Sequence, residues 1–141
     1  YLGQLKIAPN TPGRFFYRIL YSMISQKFRF HGHNSLKYVF QHGQSERNRH
    51  LAIKWTENKR RHHPRLSVVI SKKVFKSAVK RNRIRRRIYE IARPLLVDAA
   101  AIDAVISVYS GEVLDMSHDE LMIEILPLLN SAGLKSTKIH E

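Results

Sequence analysis

The chain has 141 residues, enough for one domain with a real core, and its 43% hydrophobic and 26% charged content is ordinary for a globular protein. It contains no cysteine, which excludes disulfides and thiolate metal sites, and no run reaches the roughly 18 apolar residues of a membrane span. The net charge of +14 is polarised, with 23 Lys/Arg against three acids in residues 1–93 and two lysines against eight acids in residues 94–141, so a polyanion is expected at one face.

Residues 1–22, "YLGQLKIAPNTPGRFFYRILYS", combine the turn-rich "APNTPG" with a short apolar patch at 15–20, a poor match to a signal peptide. They are expected to be an appendage ahead of a single domain spanning 23–134, with Met23 reading as a natural start and 135–141 as a frayed tail. In "NSLKYVFQHG", Ser35 is placed to cap a helix whose Leu36, Val39 and Phe40 share one face, and Gly43 sits where that helix stops. "RHLAIKWT" alternates Leu51, Ile53 and Trp55 with Ala52, Lys54 and Thr56, the pattern of a half-buried strand. A polar loop, "ENKRRHHP", leads to a second and more buried strand at 66–71. A charged helix follows, which Pro94 is expected to end or kink. "IDAVISVYSG" is a third strand, closed by Gly111. In "SHDELMIEILPLLNSAG", Ser117 and Glu120 form a capping box, Leu121, Ile125 and Leu128 make the apolar face, and Pro127 should bend the helix. Helices alternating with strands indicate an α/β sandwich around one sheet.

The charged helix belongs to "SKKVFKSAVKRNRIRRRIYE", with nine Lys/Arg and one acid. At about 100° per residue with Ile84 at zero, Ile88, Ile91 and, where the helix continues through Pro94, Leu95 fall within about 40° of it and form a narrow seam. Arg81, Arg85, Tyr89 and Asn82 occupy a flank from about 60° to 160°, and Arg86, Arg83, Arg87 and Lys80 the sector from about 200° to 320°. Like charges four residues apart, such as Arg81/Arg85 and Arg83/Arg87, each cost an isolated helix roughly 0.2–0.5 kcal/mol. A merely solvated face would interleave acids to offset that cost, and this one does not. The guanidinium fork matches phosphate oxygens. Asn and Gln are not interleaved at base-reading spacing, so backbone and shape recognition of RNA fits better than reading of DNA.

Two histidine pairs, His31/His33 and His62/His63, lack a third ligand at supporting spacing, so surface or RNA-contacting roles are expected and no protein metal site. No nucleophile–base arrangement, phosphate loop or "HExxH" occurs, and the acids of "EVLDMSHDE" are accounted for by helix capping. The residues alone therefore describe an RNA-binding protein without nuclease chemistry of its own, and a structural RNA-binding protein such as a ribosomal protein fits them equally.

"AVKRNRIRRRIYE", with "RNRIRR" preceded by "SKK" and "AV", resembles the RNR signature of bacterial ribonuclease P protein subunits. "SLKYVFQHG", "RLSVVISKK", "IDAVISVYSG" and "SHDELMIEILPLL" are similar to other segments of that family, in family order over about residues 28–134. The resemblance implies a two-layer α-β sandwich of order α-β-β-β-α-β-α, with a left-handed βαβ crossover against the general right-handed preference. It also implies a cytoplasmic endoribonuclease that works as a ribonucleoprotein. Its RNA subunit, with Mg²⁺ held mainly by that RNA and the substrate, removes the 5′ leader of precursor tRNA. The implied partners are ribonuclease P RNA and precursor tRNA, with no membrane and no stable protein partner, and no catalytic residue lies in the protein. Carried over by position, Lys80, Arg83, Arg86 and Arg87 would face the RNA subunit, while Phe40, Lys72, Lys73, Arg81, Asn82 and Arg85 would hold the leader. Three positions depart from the family pattern: Leu36 and Lys54 stand where aromatics are usual, and Tyr89 where a cation is frequent.

Overall fold

Apart from the polar strand 44–47, the strands form on apolar runs or alternations, and the helices where apolar residues recur every three to four positions. The computed structural model describes residues 33–97 and 99–135. The elements are α1 (His33–His42), β1 (Gln44–Arg47), β2 (Leu51–Glu57), β3 (Arg65–Ile70), α2 (Ala78–Leu96), β4 (Ile102–Val108), a 3₁₀ turn (Gly111–Asp115) and α3 (His118–Ser131). Their order is the α-β-β-β-α-β-α expected above. The sheet runs β1-β2-β4-β3, with β1/β2 and β2/β4 antiparallel and β3/β4 parallel, so β3–α2–β4 is a βαβ unit.

The pleat sorts residues onto two faces. Leu51, Ile53, Leu66, Val68, Ile70, Ala104, Ile106 and Val108 meet Ile84, Ile88 and Ile91 of α2 and Leu121, Ile125 and Leu129 of α3 in the main core. On the opposite face Val105 packs on Val39 of α1, flanked by Leu36 and Val69. The two-layer sandwich is therefore α2 and α3 on the sheet, and α1 crosses the other side as a partial third cover. No described helix is long and apolar enough to cross a membrane.

Several local expectations shift. Because α1 already runs from His33, Ser35 lies within its first turn and does not cap it. β3 ends at Ile70, paired with Val108, because the Ser71 carbonyl is taken by the turn amides of Val74 and Phe75. α2 continues past Pro94 to Leu96, and α3 continues past Pro127. Both prolines lie on exposed sides, where the carbonyl each leaves unbonded can reach water, and buried residues follow each of them in the helix. The short edge strand β1, "QSER", is exposed throughout.

The helix ends follow local chemistry. Ser117 Oγ accepts from the Glu120 amide at 3.1 Å and Glu120 Oε1 from the Ser117 amide at 2.8 Å, the capping box expected from sequence. The Ser117 backbone N–H, with its hydroxyl, holds the Glu120 carboxyl below the ordinary carboxylate range. Beyond α3, Gly133 adopts φ +91°, and the Leu134 amide reaches the Leu129 carbonyl at 2.9 Å in a Schellman closure that buries Leu134.

Gly43 is needed for space. Its amide donates to Val39 O at 2.8 Å, and a Cβ there would lie 2.5 Å from that oxygen and 3.0 Å from Trp55 O. Both obstacles are backbone atoms, so Gly43→Ala must push α1 away from β2. A loss of about 1–3 kcal/mol in urea unfolding is expected, and an unchanged midpoint would mean that the end of α1 moves at no cost.

One polar cluster within the sheet was not read from the sequence. Arg65 donates to Asp103 through two nitrogens, Nε to Oδ1 and NH2 to Oδ2, each at 2.8 Å, and Asn58 Nδ2 adds a third bond to Oδ2 at 2.9 Å. Both ion-pair partners are largely buried. The cluster ties β3 to β4 and both to the start of the β2–β3 loop.

Candidate nucleic-acid interface

Ser77 caps α2 by accepting from the Lys80 amide. From there the helix crosses the edge of the sheet, and its two halves meet different surroundings. In the C-terminal half the buried arc is wide, because Ala92, Leu96 and Tyr89 join the seam of Ile84, Ile88, Ile91 and Leu95. Tyr89, placed by the angular reading on the polar flank with Arg81 and Arg85, is only 4% exposed and belongs to the core. Its ring is therefore neither a lost phosphate contact nor an open stacking surface.

In the N-terminal half that same angular sector carries Arg81, Asn82 and Arg85, the last of which reaches the edge of β3. Arg85 Nε donates to Val68 O at 3.2 Å, and its NH1 donates to Asn82 Oδ1 at 2.7 Å. Burial, with Arg81 close by, lowers the Arg85 pKa from its usual value, against an opposing pull from Tyr89. Arg81 NH1 bonds the carbonyls of Phe75 and Lys76 in the approach to the helix. These three side chains form a held row, each with at least one partner fixed by the protein. Lys72 and Lys73 are exposed directly after β3.

The other sector is not uniform. Among the described residues, Arg83 and Arg86 have no hydrogen-bond or ion-pair partner, and Lys80 stands 5.9 Å from the Phe75 ring. Arg87 differs, because its guanidinium donates to the carbonyls of Val113, Leu114 and Met116, gathering the exit of the 3₁₀ turn. The outward row thus contains two cations open to a ligand, one resting beside a ring, and one tied into the fold.

Phe40 lies elsewhere. It is 39% exposed at the end of α1, with the Lys54 ammonium 5.9 Å from its ring and 3.0 Å from its carbonyl oxygen. Lys54 therefore stabilises the C-terminus of α1 and fixes the Phe40 backbone, a use of the position that composition could not show. Trp55 turns to the main core, on the opposite face, as the strand alternation required. β4 and β3 separate the Phe40/Lys54 pair from the Arg81–Asn82–Arg85 row. The predicted leader residues thus form two groups across one sheet.

Of the histidines, His31 lies outside the described residues. His62 is exposed, His63 Nδ1 is 3.4 Å from Pro64 O, and His50 is buried with Nε2 4.0 Å from Glu124. Among the described residues no three His, Asp or Glu side chains gather into a metal-sized cluster.

Comparison with known proteins bears on this arrangement. Residues 24–133 match the sequence model of the Ribonuclease P family. The chain is 32% identical over 124 residues to the ribonuclease P protein component of Synechococcus sp. (strain RCC307), covering 79% of this chain and 97% of that protein. It is 27% identical over 105 residues to that of Blochmanniella floridana, covering 74% and 87%. A structure of Staphylococcus aureus RNase P protein superposes with TM-score 0.67 at 26% identity, covering 74% of this chain and 94% of that one. The RNase P protein from Thermotoga maritima shares the fold at 20% identity, with TM-score 0.63 and coverage of 73% and 96%. With the α2 rows in place and most of the chain matched, this protein belongs to the ribonuclease P protein family.

Proposed function

We propose that this chain is the protein component of a ribonuclease P that acts in the cytoplasm on precursor tRNA, in which the RNA subunit performs the cleavage. The observation that carries the reading is the pair of rows on α2. Arg83 and Arg86 have no protein partner among the described residues, while Arg81 is tied to the turn after β3, Arg85 to Val68 O on β3, and Asn82 to Arg85. Partnerless guanidinium groups suit the phosphates of a folded RNA. The held row, with Lys72 and Lys73 nearby, suits the backbone of a single strand, whose entropy is best offset by pre-ordered donors. Phe40, steadied by Lys54, supplies a ring for an unpaired base on the far side of the sheet.

Mg²⁺ would supply an activated water and neutralise charge at the scissile phosphate. The described residues of the protein do not fit such a site, since no acidic cluster is present to hold the ion. What the protein contributes is binding and alignment: neutralising RNA phosphates along α2 and restraining the leader.

The test is cleavage of precursor tRNA by a bacterial ribonuclease P RNA at Mg²⁺ too low for the RNA to act well alone. Added protein is expected to raise cleavage by an order of magnitude or more, because cationic side chains replace part of the screening that Mg²⁺ provides. A structural RNA-binding protein of ribosomal type would bind the RNA without accelerating cleavage, and that result would overturn the proposal.

A further inference from the structure

One exposed aromatic lies outside both rows of α2 and outside the Phe40 region. Leu51, Val108 and Ile70 are aligned across the sheet, so β2 begins where β3 and β4 finish. Tyr109 follows directly, and its amide donates to His50 O at 2.9 Å, continuing the extended run by one residue. Val108 belongs to the main core, so alternation turns Tyr109 to the face that carries Val105 and α1. Its ring is 53% exposed. Arg47, paired with Ala52 on β1, holds its guanidinium 5.1 Å from the ring centroid. Among the described residues Arg47 forms no ion pair. Lys72 and Lys73 stand exposed at the same end of the sheet, immediately beyond β3.

We propose that Tyr109, backed by Arg47, is a stacking position for an unpaired nucleobase of the RNA strand that crosses this face of the sheet, separate from Phe40. An open ring with one side covered by a guanidinium and cations around it has the composition of a single-strand platform: π-surface for a base, charge for the adjoining phosphates. Tyr109 lies four residues along β4 from Val105 beneath α1, about 13 Å away, so a strand leaving the Phe40 end would reach it further along its length. The bland account is that the Arg–Tyr contact only staples the edge strand β1 to the end of β4. The two accounts differ in what the ring is for, and experiment separates them.

The inference rests on the ribonuclease P reading, so two binding measurements are made. In the first, holoenzyme assembled with Tyr109→Ala is compared on precursor tRNA carrying a long unpaired leader and on the same tRNA with a single-nucleotide leader. Affinity for the long leader is expected to fall about 5- to 100-fold while the short-leader substrate changes by less than about twofold, and Tyr109→Phe retains near-full affinity for both. Equal loss on both substrates, no loss on either, or a Tyr109→Phe defect as large as that of alanine would overturn the stacking role. In the second, protein alone is titrated with unstructured oligouridylate, where Tyr109→Ala should weaken binding and Tyr109→Phe should not. An unchanged affinity there also overturns the inference. A wild-type protein that binds oligouridylate through Tyr109 yet never stimulates cleavage would refute the function and leave the stacking position standing.

Discussion

Replacing Arg83 and Arg86 together by alanine is expected to weaken binding to ribonuclease P RNA by about two orders of magnitude, at roughly 1.5 kcal/mol for each charge-assisted contact. The slope of log affinity against log salt should become shallower by about two, since each phosphate neutralised by a cation contributes nearly one. Neither side chain has a partner among the described residues, so their removal leaves no buried group stranded, and the unfolding midpoint should hardly move. Arg87→Ala is the informative contrast on the same helix. Its guanidinium gathers the carbonyls of Val113, Leu114 and Met116, so its loss should appear in stability and change the salt slope less. Binding of RNA subunit and of leader-bearing substrate is to be measured separately for each variant. If Arg83→Ala plus Arg86→Ala harms leader binding more than RNA-subunit binding, the two faces of α2 have been assigned the wrong way round.

That contrast marks how far sequence reasoning reaches along this helix. An angular projection assumes that a given sector meets the same neighbours from end to end. Here the sector holding Arg81, Asn82 and Arg85 reaches the edge of β3 through Arg85, and about one to three turns later the same sector holds Tyr89, Ala92 and Leu96 in the core. The seam of Ile84, Ile88 and Ile91 was legible because it faces the sheet throughout. Tyr89 was not, because nothing in a projection records where the helix passes from edge to interior. Arg87 was placed with the outward cations, and its tie to the fold went unread for a related reason: its acceptors are carbonyls some 26 to 29 residues away, and backbone oxygens leave no mark in the sequence.

Elsewhere, legibility follows the range of the interaction. The Ser117/Glu120 capping box and the turning of Leu51, Ile53 and Trp55 to one face of β2 are local and were read correctly, although Ala52 on the other face is buried as well. β1 has no apolar period to detect, being an exposed four-residue edge, and it exists because Gln44 to Arg47 find a ladder on β2. Whether α2 ends or continues at Pro94 is left open by the sequence because local propensity opposes continuation, and Leu95 and Leu96, both buried, decide it. Lys54 illustrates the same limit at the candidate site. It departs from the aromatic usual there in the family, and its ammonium reaches across to the end of α1 and steadies Phe40.

The largest stability effect is expected at Asp103, a lone acid inside the apolar run "IDAVISV". Its carboxylate accepts two bonds from Arg65 and one from Asn58 where β3, β4 and the β2–β3 loop converge. Asp103→Ala would leave the Arg65 guanidinium largely buried without its carboxylate, a loss of about 3–5 kcal/mol in urea or thermal unfolding. Asp103→Asn should cost less, since it keeps an acceptor for one of the three donors. The pair itself contributes far less than its disruption costs, because desolvating both ions offsets most of their attraction. The double variant Arg65→Met plus Asp103→Leu should therefore recover much of the stability lost by Asp103→Ala. A double variant as unstable as Asp103→Ala alone would show that the cluster's geometry, rather than the stranded charge, holds β3 against β4. Either outcome bears on function, because Val68, the acceptor for Arg85, lies on β3 three residues from Arg65. Any slip of that strand would carry the held row of α2 with it, so leader affinity should follow the integrity of the Arg65–Asp103 pair while affinity for the RNA subunit, set by Arg83 and Arg86, should not.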